Sequence, residues 1–90
     1  MSDSINNRTI TETEVTLSHA LRHRMDQKGL EPFNSPHEII GVVMEEYEEA
    51  VDEVRANNTA RLREELIDLA IASIWGIASL DHMREIKLKG

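Results

Sequence analysis

The chain has 90 residues, a net charge of −7, no cysteine and only three aromatic side chains, Phe33, Tyr47 and Trp75. This length carries one small domain with neither disulfides nor a zinc–thiolate cluster, so its aliphatic core needs tight helix packing or self-association. The acidic balance speaks against non-specific binding to nucleic acid or to an anionic membrane surface.

Residues 1–8 are polar, read as a disordered N-terminus and lack the apolar core of a signal peptide. Residues 9–90 read as a single helical domain. Thr9 with Glu12, or Thr11 with Glu14, offers a capping box for a first helix running to about Lys28 and closing at Gly29. Its apolar face is thin: Val15, Leu17, Leu21 and Met25, with Ala20 beside them. The segment 30–34 contains Pro32 and reads as a loop. Ser35, Pro36 and Glu38 then supply an N-cap, an N1 proline and an N3 acid for a second helix reaching about Ala56. Ile39, Ile40, Val43, Tyr47, Ala50, Val51 and Val54 fall on one side of it.

Asn57, Asn58 and Thr59 form the next turn and cap. The third helix runs from about Ala60 to His82 or beyond, and Leu66, Ile67, Leu69, Ile71, Ile74, Trp75, Ile77 and Leu80 make it apolar nearly all the way round. Such a helix is buried on every side, and two partners in so short a chain cannot cover it. The expected fold is therefore all-α: a helical hairpin plus an N-terminal helix, completing a four-helix-bundle type of core by oligomerisation as a dimer or tetramer. The strongest apolar stretch, 66–80, is too short to span a bilayer and is interrupted by Asp68. A soluble, cytoplasmic, reduced protein is the corresponding expectation.

Chemistry concentrates in the acids. Six of them lie within the nine residues 45–53, with nothing basic before Arg55. Glu46, Glu49 and Glu53 border the apolar stripe of the second helix, whereas Glu45, Glu48 and Asp52 lie farther toward solvent. On the third helix Glu65 and Asp68 share a face with Arg61, Ala72, Gly76 and Ser79. Residues three apart on a helix are surface neighbours, about 5–6 Å between Cβ atoms. A short connection favours an antiparallel hairpin, which turns the pairs Glu46/Glu49 and Glu65/Asp68 toward one spot. An acid-rich helix is most often a solvated face, but Asp68 sits within an apolar run and needs a partner, either Arg61 or a metal. Four converging carboxylates suit a hard cation, Mg²⁺ or Mn²⁺. Lys28 and Arg61 are candidates for holding substrate, although such charges are more often ordinary surface or ion-pair residues. Trp75 could stack on a base, although a core position at a subunit interface is the more frequent outcome. His19 and His23 have i,i+4 spacing but lack the glutamate of a zinc-protease motif, and read as surface residues.

Glu45-Glu46-Tyr47-Glu48-Glu49, a gap of fifteen residues and Glu65-Leu66-Ile67-Asp68 resemble the EExxE…ExxD signature of MazG-like nucleotide pyrophosphohydrolases, in the all-α NTP pyrophosphohydrolase superfamily. The likeness covers residues 35–83. It implies that Glu46, Glu49, Glu65 and Asp68 bind Mg²⁺, that Glu45 and Glu49 serve catalysis, and that the working unit is a homo-oligomer. The implied reaction is hydrolysis of a nucleoside triphosphate, foremost a dNTP, to monophosphate and pyrophosphate. Two alternatives stand beside it: a phosphoribosyl-ATP pyrophosphohydrolase, and a non-catalytic dimeric adaptor binding a basic partner through its acidic face.

Overall fold

The computed structural model describes residues 3–89, with side chains through 88. Three helices follow one another, α1 (Asn7–Lys28), α2 (Pro36–Arg55) and α3 (Thr59–Lys89), and no strand occurs among the described residues. The fold is all-α.

Each boundary has a local cause. Asn6 caps α1, its side chain accepting from the Arg8 backbone N–H at 2.7 Å. The helix therefore takes Asn7 and Arg8 from the stretch expected to be disordered; Met1, Ser2 and Gly90 lie outside the described residues. Neither threonine box is used. The Thr11 and Thr13 hydroxyls donate backward to the carbonyls of Asn7 and Thr9, the bond a threonine makes inside a helix rather than at its start. Glu12 pairs instead with Arg8, at 3.8 Å on the open surface. At the other end Gly29, with φ 72° and ψ −158°, returns its N–H to the Met25 carbonyl. Only glycine adopts that backbone cheaply.

Ser35 caps α2 as expected, accepting from the Glu38 N–H at 3.1 Å. The Glu38 carboxylate reaches one residue farther back than a standard box, accepting from the Asn34 N–H at 2.7 Å. The turn into α3 is tight: Asn57 takes φ 55°, a left-handed value asparagine tolerates, and the Asn58 side chain caps by accepting from the Arg61 N–H.

α2 and α3 form the antiparallel hairpin. Glu53 meets Arg61 near the turn and Ile39 meets Gly76 at the far end, so position rises on one helix as it falls on the other. Gly76 permits that contact, because a Cβ there would lie 2.7 Å from the Ile39 Cγ2 methyl. α1 packs on α3 alone. The loop between α1 and α2 is tied to α3 by two hydrogen bonds: Trp75 Nε1 donates to the Glu31 carbonyl and the Phe33 N–H donates to Ser79 Oγ. Ser79 in turn donates to the Trp75 carbonyl, which satisfies the buried hydroxyl.

The core is small. Ile39, Ala50, Ile71, Ala72 and Trp75 are its buried apolar residues, and α1 contributes none. The apolar side expected for α2 divides in two: Ile39 and Ala50 pack on α3, whereas Ile40, Tyr47 and Val54 stay more than half exposed. Leu66, Ile77 and Leu80 on α3 are likewise bare. α3 is also longer than the apolar stretch suggested. By length and composition it is the one described helix able to cross a membrane, a test that a core helix of a soluble protein also passes.

Candidate metal centre

The hairpin register brings three of the acids together. Carboxylate oxygens of Glu46, Glu49 and Glu65 lie within 4.8 Å of one another. Two oxygens opposite each other across Mg²⁺ are about 4.2 Å apart, so small side-chain movements would close these three onto one ion. Glu46 Oε2 and Glu65 Oε2 are enclosed and accept no hydrogen bond from the protein. A charged oxygen kept from water without a donor is costly unless something cationic meets it. The donor set, all carboxylate, is that of a hard divalent ion.

The electrostatics agree. Burial, then repulsion from Glu49 and Asp68, pushes the Glu46 carboxyl up to about 7. Glu65 is raised by burial and by the closeness of the Glu49 carboxyl, with Arg61 pulling the other way. Asp68 is raised by burial and by Glu49 and Glu64, and eased by Lys28. All three shifts report negative charge crowded into one place.

The remaining expected residues divide among several places. Asp68 is absent from the triad of oxygens and, contrary to the expectation from its apolar run, is exposed; it lines the wall of an adjoining cleft that Glu46 also lines. Glu45 is exposed and outside the group. Arg61 sits at the turn end, its Nε 3.5 Å from Glu53 Oε1, near enough to act on Glu65. Lys28, the last residue of α1, lines the cleft beside Asp68. Trp75 is a core residue rather than a stacking platform: it is 8% exposed, its indole N–H is taken by the Glu31 carbonyl, and the Arg24 guanidinium lies 4.0 Å from its ring centroid. An open face for stacking a base is not what it offers.

The cleft has a volume of about 470 Å³ and runs between α1 and the hairpin. Its α1 wall carries His23, Arg24, Gln27 and Lys28, and its opposite wall carries Glu46 and Asp68. Sequence reasoning passed over Arg24 and Gln27 and set His23 aside as surface. A signal existed: the half-buried residues of α1 are Thr16, Leu17, Ala20, Leu21, Arg24 and Met25, one helical stripe in which an arginine continues the apolar series.

No family model, curated protein or solved structure matches this chain. What the site can do follows from its own residues.

Proposed function

We propose that this protein is a MazG-like, divalent-cation-dependent nucleotide pyrophosphohydrolase, cytoplasmic and working as a homo-oligomer, that cleaves a nucleoside triphosphate, foremost a dNTP, to monophosphate and pyrophosphate. The observation that carries this reading is the pair of enclosed, unpartnered carboxylate oxygens on Glu46 and Glu65, set against Glu49. Glu46, Glu49 and Glu65 would hold Mg²⁺ or Mn²⁺, with Asp68 joining from the cleft side. Once bound, such an ion neutralises the polyphosphate and acidifies water.

The chain's own groups do the rest. Glu49 is the exposed member of the cluster, so it is open both to the cation and to incoming water. A carboxylate in that position accepts the proton that water loses as its oxygen joins phosphorus and the phosphoanhydride bond breaks. Glu45, one turn before Glu49 and in solvent, would help to orient that water. Lys28 offsets part of the negative charge that Asp68 would otherwise present to an anionic substrate.

Pyrophosphate release from the eight common NTPs and dNTPs, each with Mg²⁺ and with EDTA, tests the proposal. Release from one or more, abolished by EDTA, is the expected result. Glu49→Gln and Asp68→Asn should each lower turnover by on the order of a hundredfold or more while helicity is kept. Silence on all eight would turn attention to phosphoribosyl-ATP, and failure there would favour the adaptor.

A further inference from the structure

Arg24 is an unusual cation. It is half-buried on α1, and its guanidinium carbon lies over two rings, 4.0 Å from the Trp75 centroid and 5.6 Å from that of Phe33. Its Nη1 is enclosed and donates to nothing in the protein. The ion pairs among the described residues are Arg8 with Glu12 and Arg61 with Glu53, so no carboxylate neutralises Arg24. Two acids, Glu46 and Asp68, line the same cleft, yet neither reaches it.

Guanidinium stacking uses the face of the cation and leaves its five donors radiating in the plane. The aromatic pair therefore holds the cation without consuming its hydrogen bonds. The Trp75 indole is itself held by its bond to the Glu31 carbonyl, and the Phe33 backbone by its bond to Ser79. A fixed, partly desolvated fork beside a cleft matches the oxygens of a phosphate, which it meets in pairs. His23 and Lys28 add positive or donor character to the same wall, while the opposite wall is acidic. A ligand spanning the two walls must be anionic at one end and carry a cation at the other.

We propose that Arg24 binds the phosphate oxygens of the ligand occupying this cleft, its guanidinium held over Trp75 and Phe33 and its unpaired donors left for that anion. The choice of phosphate as the anion rests on the pyrophosphohydrolase reading; the need for an anion rests on Arg24 alone.

The test uses inorganic pyrophosphate as the probe, titrated calorimetrically into the full chain with Mg²⁺ and, separately, in EDTA. Trp75 is the only tryptophan, so its emission gives a second reading in the unmutated protein. The expected result is saturable binding with a saturable change in emission. In Arg24→Gln the dissociation constant should rise on the order of tenfold or more, and Arg24→Lys should fall between, since a point charge keeps attraction but loses the fork. Mg²⁺ titrated alone should bind all three proteins equally. Equal pyrophosphate affinity in the unmutated chain and a folded Arg24→Gln overturns the proposal, as does an unmutated chain that binds no pyrophosphate. Should Arg24→Gln lose its helicity, Arg24→Lys and the Trp75 emission decide in its place. Arg24-dependent anion binding without any divalent binding would sink the hydrolase reading and leave the role of Arg24 intact.

Discussion

Glu46 shows most clearly what one residue carries in this fold. Its carboxyl is raised from 4.5 to about 7, chiefly by burial and then by Glu49 and Asp68. Between those two values the folded chain binds more protons than the unfolded chain, so stability falls as pH rises through that window. Glu65 and Asp68 shift in the same direction and add to the trend. The metal-free protein should thus melt at a higher temperature at about pH 5 than at about pH 8. Divalent cation should invert that order, because it competes with protons for the same oxygens and stabilises by mass action. Melting curves at both pH values, with Mg²⁺ and with EDTA, decide the matter; a Mg²⁺ effect as large at the acid end would contradict the site. Gly76 is the second such residue. In Gly76→Ala the new methyl meets Ile39, whose β-branched side chain has one favoured rotamer in a helix and cannot swing clear. A steric cost of about 1–3 kcal/mol should outweigh the gain of up to about 1 kcal/mol in helix propensity. Chemical denaturation should show a net loss, largely relieved when Ile39→Ala accompanies it.

At the scale of the element, the helices differ in what holds them. α2 is bounded by strong local signals, a serine cap and an N1 proline, and gains a packed face on α3. These cues act within four residues, so they were legible in the sequence. α1 rests on α3 with half-buried residues only and no buried one. Its start was misplaced because threonine, asparagine and serine all compete for a cap, and nothing local decides which one the backbone uses. The arginine within its apolar stripe escaped notice for a related reason. Amphipathic reading sorts residues by polarity, whereas Arg24 is placed by its stem and by the flat face it offers to Trp75. The loop 30–35 matters more than its length suggests, since the Glu31 carbonyl holds the Trp75 ring and the Phe33 N–H ties the loop to Ser79.

For the whole molecule, exposed area is the informative quantity. The accessible surface is 7338 Å², against about 5,400 Å² for a compact monomer of this mass. The radius of gyration is 15.6 Å, against about 12 Å for a compact chain of this length. The excess is of the size that one subunit contributes to a permanent interface. Ile40, Met44, Tyr47, Val51 and Val54 follow a spacing of four and three along α2, the seam pattern of a helix awaiting another helix. Sedimentation should accordingly find a dimer or tetramer. Tyr47→Lys, at the middle of that seam and 59% exposed in the monomer, should shift the species toward monomer and lower the melting temperature. A chain that sediments as a monomer with and without the substitution would remove assembly from the functional reading.

The sequence alone determined the helical class, the bounds of α2 and the turn into α3. Those rest on caps, prolines and a 3.6-residue period, all expressed between near neighbours. It also determined which acids share a face, since i,i+3 spacing is a property of one helix. Only the tertiary structure decided that Glu46, Glu49 and Glu65 converge while Asp68 stops at the cleft wall, because that depends on the register in which α2 and α3 pair. It alone seated Trp75 beneath Arg24 and left half of the α2 apolar side bare. Periodicity says that a face is apolar; which neighbour covers it is set by distances between segments far apart in the chain.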